Sequence, residues 1–124
     1  MNNNIYFPFL YTVPSAPLNF KITERQQTQL SMNWSRPESI LGTFVGYTLE
    51  ATILTYPDEP PDFEQTKKIL RLDFDTVQYQ LMDLEPYSRI LLNLYALNAN
   101  SLGFSVGQGT PATIIVRTLP GGNF

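Results

Sequence analysis

A chain of 124 residues, 43% hydrophobic and 15% charged, is the size of one domain, carries too much apolar surface to stay unfolded, and has no run long enough to span a bilayer. Its net charge of −3, with eight scattered basic residues, argues against nucleic acid, which needs a basic cluster to displace counterions. It has no cysteine and no histidine, so disulfides, thiolate metal sites, His-dependent triads and the commonest zinc ligand are all excluded. No catalytic, cofactor-binding or metal-ligating residue is assigned, and no cofactor is expected.

The chain opens on Met1 to Asn4 and then Ile5-Tyr6-Phe7-Pro8-Phe9-Leu10-Tyr11, which lacks the basic start of a signal peptide and carries Pro8 inside its apolar run. Residues 1–13 therefore read as a linker or the tail of a preceding module. Thr12-Val13-Pro14 parallels Thr118-Leu119-Pro120, as two consecutive copies of one module would leave. The domain itself is placed at 14–120, with 121–124 a C-terminal linker.

Alternating apolar positions bounded by Pro, Gly, Asn and Asp predict strands throughout, and no segment keeps a helical period. Leu18, Phe20 and Ile22 are one inward face; Leu30, Met32 and Trp34 are the next. After the Arg36-Pro37-Glu38-Ser39 turn, Tyr47, Leu49, Ala51 and Ile53 point inward on a longer strand. Tyr56-Pro57-Asp58-Glu59-Pro60-Pro61-Asp62 cannot sustain a ladder and reads as a surface loop. Residues 66–72 then predict an edge strand, where Lys67 and Lys68 discourage edge-to-edge pairing. Beyond a turn at 73–76, Tyr79, Leu81 and Leu84 face inward. The last two strands, with Ile90, Leu92, Leu94 and Ala96 answered by Ala112, Ile114 and Val116, are the most apolar and are expected at the sheet centre; residues 98–110 between them have loop composition. Seven short strands, each with one apolar face to cover, make a two-layer sandwich, with a barrel as the structural alternative.

The order of spaced residues resembles a fibronectin type III domain over 14–120. Pro14-Ser15-Ala16-Pro17 with Leu18, Trp34 with Pro37, Val45-Gly46-Tyr47-Thr48-Leu49, then Leu81, Leu84, Pro86, Ala96, Asn98 and Thr118-Leu119-Pro120 carry the likeness. The resemblance implies an all-β, seven-stranded immunoglobulin-like β-sandwich, one sheet from the first, second and fifth strands and the other from the remaining four. It departs from the family at one corner: Leu84-Glu85-Pro86-Tyr87-Ser88-Arg89-Ile90 puts Ile90 where the family has a tyrosine whose hydroxyl bonds back to the backbone. That hydrogen bond should be absent or replaced, and Ile90→Tyr is expected to raise the melting temperature.

Functional signals are weighed against ordinary ones. Asp58, Glu59, Asp62 and Glu64, like Asp73 and Asp75, read as solvated loop acids, with weak calcium binding the alternative. Asn33-Trp34-Ser35 fits the glycosylation pattern, with Asn33 outward. Leu72-Asp73-Phe74 is an ordinary turn sooner than an integrin-type acidic tripeptide. Leu91, Tyr95, Leu97 and Ile115 fall on the outward phase of the last two strands and form a candidate partner stripe. Leu102 and Phe104, in the connection between those strands, are the other candidate contacts.

The family implies a non-catalytic protein-binding or spacer module in the extracellular, single-pass ectodomain of a receptor or adhesion protein, or in a secreted one. Its partners would be proteins and neighbouring modules, without nucleic acid or direct membrane contact, and the isolated domain would be a monomer. A module of a large cytoplasmic muscle-type protein and an accessory module of a polysaccharide-degrading enzyme are the alternatives.

Overall fold

A computed structural model describes residues 13–54, 67–99 and 105–121 of the chain. Eight strand segments follow one another: β1 Leu18–Arg25, β2 Leu30–Ser35, β3 Thr43–Leu54, β4 Lys67–Asp73, β5 Gln78–Leu81, β6 Arg89–Ala99, β7 Ser105–Gln108 and β8 Ala112–Arg117. They form two antiparallel sheets, β1-β2-β5 and β4-β3-β6 with β7 and β8 both on the far side of β6. Because β7 and β8 flank one strand in nearly continuous register, they are two lengths of a single seventh strand, interrupted at Gly109-Thr110-Pro111, where proline has no N–H to give.

The two sheets close on one interior. Leu30, Met32 and Trp34 of β2 and Leu81 of β5 meet Tyr47, Leu49 and Ala51 of β3 and Ile90, Leu92, Leu94 and Ala96 of β6; Leu84 is buried with them. Phe20, Ile22, Ile53, Leu70, Leu72, Tyr79, Ile114 and Val116 pack around this centre, half-buried. At about 1.5–3 kcal/mol for each fully buried side chain of this size, the interior supplies the stabilisation that a cross-link gives other small domains. Gly46 is what lets β3 and β4 approach here: its φ is +149° at a bulge in β3, and a Cβ would collide with the Leu72 carbonyl oxygen.

Three expectations are corrected. Leu18 is 42% exposed: β1 takes an extra residue against β2 between Leu18 and Lys21, Asn19 adopts a left-handed φ of 56°, and the alternation inverts, so Leu18 turns outward while Phe20 and Ile22 stay in. Residues 98–110 are more than loop, since β6 runs on through Ala99 and β7 begins at Ser105. The last two strands are not both central: β3 and β6 are, whereas β8 is at the sheet edge. It is apolar nonetheless, because β1 of the other sheet packs against it.

The missing tyrosine at the β5–β6 corner is replaced. Thr118, 1% exposed, donates its hydroxyl to the Glu85 carbonyl (2.8 Å) and accepts the Ser88 N–H (2.8 Å). Backbone bonds from Thr118 N to Ser88 O, Tyr87 N to Leu119 O and Leu119 N to Gln26 O fasten the same corner to the C-terminal segment. Tyr87 takes a left-handed φ of 54°, with the Arg117 guanidinium 4.3 Å from its ring centroid. Since Ile90 is fully buried and these corner groups are already bonded, the expected gain from Ile90→Tyr disappears. Thr118→Val should instead cost about 1 kcal/mol in denaturant unfolding, since it removes two part-buried hydrogen bonds, and Ile90→Tyr should be neutral or destabilising. A neutral Thr118→Val would show that the corner is held without the hydroxyl.

Candidate functional site

One end of the sandwich gathers the connection 36–42, the turn 74–77 and the start of β1. Each is tied to the scaffold. Trp34 N–H donates to Val77 O (3.0 Å), Ser15 N–H donates to Ser39 O (2.9 Å), and the Asn98 amide donates to Ile40 O (3.0 Å) and Leu41 O (2.6 Å). On this framework five large apolar side chains are exposed: Leu18, Leu41, Val45, Phe74 and Val77, with Phe74 54% exposed. Phe74 is backed by a run of edge-to-face rings leading inward, Phe44 at 6.5 Å, Phe44 to Tyr47 at 5.2 Å, Tyr47 to Trp34 at 5.5 Å and Trp34 to Phe20 at 6.1 Å. The Arg36 guanidinium lies 5.1 Å from the Phe44 ring centroid and adds a cation. Leu102 and Phe104 lie outside the described residues; β6 and β7, which bracket them, end on this side, where Ala99 pairs with Thr43.

Leu91, Tyr95 and Ile115 lie on the outer face of the four-stranded sheet. Leu91 is directly opposite both Thr52 and Ile115, and Tyr95 is opposite Thr48. Ile115 is 57% exposed, Leu91 and Tyr95 half-buried. Leu97 departs from the expectation: opposite Gly46 and Gln108, it is only 5% exposed, so its side chain is packed away and offers little to a partner.

The profile of the fibronectin type III domain matches residues 15–112. The chain belongs to the fibronectin type III family. Solved structures agree: the third fibronectin III domain of human KIAA0343 protein is 22% identical, with a TM-score of 0.69 over 91% of this chain and 89% of that one. The FN5 domain of Drosophila Lar is 24% identical, with a TM-score of 0.66 over 89% of this chain and all of that one, at 100%. No curated protein sequence is significantly similar to the chain.

Elsewhere this fibronectin type III domain presents polar surface. Asn33, half-buried, pairs with Lys21 on one side and Gln78 on the other, and with Thr23, Ser31 and Gln80 it lines an open depression of about 530 Å³ on the outer face of the three-stranded sheet. Asp73 and Asp75 flank a tight turn closed by Thr76 N–H to Asp73 O (3.0 Å), with both side chains in solvent. Among the described residues no three metal-ligating side chains converge. Asp58, Glu59, Asp62 and Glu64 fall outside the described residues.

Sequence reasoning named the connection between the last two strands but missed Leu41, Val45, Phe74 and Val77. A bulge exposes Val45 and a tight turn lifts Phe74, and neither leaves a period to read. Beneath that end sits a buried polar pair. The Tyr47 hydroxyl and the Trp34 indole N–H are buried and, among the described residues, neither makes a hydrogen bond of normal geometry. Burial pushes the Tyr47 phenol up, opposed only in part by the nearby Trp34 N–H and the Arg36 charge; burial, with Glu50 beside it, also raises Tyr95. A phenol whose folded pKa is raised contributes stability that is complete below the unfolded value near 10 and lost as pH rises through the folded value. Tyr47→Phe should therefore flatten the alkaline fall in stability above pH ~10 while changing stability at neutral pH by no more than about 1 kcal/mol. Denaturant curves across that range measure it, and an unchanged alkaline limb would contradict it.

Proposed function

We propose that this domain is a non-catalytic protein-binding module of a cell-surface receptor or adhesion protein, and that it binds through the apolar end formed by Leu41, Val45, Phe74 and Val77. The observation that carries the proposal is the exposure of these side chains at one end of the sandwich, on the 36–42 connection, the start of β3 and the 74–77 turn, whose backbones are pinned to a rigid scaffold. Large apolar side chains gathered at one end of a sandwich suit a partner surface, and a pinned backbone loses little entropy on binding. Family membership supports a role as a module of a larger protein, and the two solved relatives are themselves numbered domains of longer chains. The domain at 14–120 is accordingly one copy in a tandem array, facing the extracellular side or secreted.

Binding of the 124-residue chain to an array of purified extracellular proteins tests the proposal. Phe74→Ser combined with Val45→Ser should lower binding to any partner by about tenfold or more, as truncating an apolar anchor does. Folding stability should move far less, since Phe74 and Val45 are already largely in solvent. Binding undiminished by the double variant would place the contact elsewhere on the domain, and no binding to any protein of the array would leave the domain a spacer. Expression through a secretory pathway should place a glycan on Asn33, seen as a mass loss on treatment with an amidase specific for N-glycans; an unmodified Asn33 would count against the extracellular setting.

A further inference from the structure

The outer face of the four-stranded sheet has a charge pattern at odds with the chain as a whole. Strand alternation places Lys67, Ile69, Arg71 and Asp73 of β4 outward, because Leu70 and Leu72 pack on the core. By the same alternation Thr48, Glu50 and Thr52 of β3, Arg89, Leu91, Asn93 and Tyr95 of β6, and Thr113, Ile115 and Arg117 of β8 share this face. Four of the chain's eight basic residues and two of its eleven acids therefore lie here, a net +2 on a chain of −3.

Cross-strand register arranges them. Lys67, Thr52, Leu91 and Ile115 form one row across the sheet; Ile69, Glu50, Asn93 and Thr113 form the next. Ile69 and Ile115 are 60% and 57% exposed on the two edge strands, and Leu91 lies beside Ile115, so apolar side chains flank the Glu50–Thr52 stretch of β3, with Arg71 next to Ile69 and Arg89 and Arg117 next to Leu91 and Ile115. Glu50, the acid nearest the centre, is engaged by Lys67 at 3.7 Å, and Asp73 ends β4 beside Arg71, so Arg71, Arg89 and Arg117 leave the rim net positive. The Arg117 guanidinium lies over the Tyr87 ring and donates to the Tyr87 carbonyl.

From this arrangement we infer that the face is a second docking surface, distinct from the apolar end, for a protein segment that alternates acidic and apolar residues. Exposed apolar side chains set among charges are a usual feature of protein interfaces, and a net charge of one sign selects a partner of the other and speeds its arrival. A flat sheet with outward side chains spaced two residues apart matches an extended segment whose own side chains alternate. A second copy of the chain fits less well, since the same net-positive face would meet itself in a two-fold dimer.

Amide shift mapping on the 124-residue chain tests the inference, with a short synthetic peptide alternating glutamate and leucine as probe and its lysine-leucine counterpart as control. Shifts should cluster on Ile69, Arg71, Leu91, Tyr95 and Ile115, and the affinity should fall about tenfold or more from low to high salt. Arg71→Glu with Arg89→Glu should abolish binding, Arg71→Gln with Arg89→Gln should weaken it partway, and Phe74→Ser should leave it unchanged, which separates this surface from the one proposed above. Equal binding of the lysine peptide, shifts confined to the 36–45 and 74–77 end, an absence of shifts at millimolar peptide, or sedimentation showing dimers joined through this face would each overturn it.

Discussion

Two sheets with one apolar face each can be stable in water only if those faces cover one another, and here, with no cysteine in the chain, no disulfide assists. Trp34 is the piece on which that closure turns. It comes from the three-stranded sheet, meets Tyr47 of the four-stranded sheet edge-on at 5.5 Å, and is 4% exposed. Around this contact Leu30, Met32 and Leu81 face Leu49, Ile90, Leu92 and Leu94, all nearly inaccessible to solvent. The arrangement tolerates two buried polar atoms without good partners among the described residues, the Trp34 N–H and the Tyr47 hydroxyl, because the rings that carry them remove so much apolar area from water.

The same closure determines what the surface can offer. Rings stacked from Trp34 through Tyr47 and Phe44 support Phe74 at one end, so the exposed apolar patch is an extension of the core and inherits its rigidity. The opposite end is occupied by the Thr118 hydrogen bonds and the Arg117–Tyr87 stack, which fasten the C-terminal segment to the β5–β6 corner. A module so built presents loops at one end, a charged and apolar sheet face along one side, and a fixed exit at the other end.

Period-two alternation was enough to place nearly all of the interior, because one buried face per strand leaves an unambiguous pattern in β2, β3 and β6. It failed where the backbone departs from that period. Asn19 in left-handed conformation flips Leu18 outward, and nothing in Leu-Asn-Phe announces the bulge. Edge position was misjudged for β8 because an edge strand covered by β1 is as apolar as a central one. Ile90 could be read as a missing hydroxyl, but its replacement by Thr118, distant in sequence, required the corner to be assembled. The exposed end was the least legible part. Val45 and Phe74 read as ordinary strand and turn residues, and only tertiary structure brings them to the same end of the sandwich as Leu41 and Val77.

Trp34 is the only tryptophan of the chain, so its fluorescence reports the closure of the two sheets without labelling. The account predicts blue-shifted emission shielded from a soluble quencher, and a red shift on denaturation that coincides with loss of the β-sheet circular dichroism in one transition. Emission typical of a solvated indole in the native protein, or a Trp34 transition that precedes loss of the sheets, would contradict it.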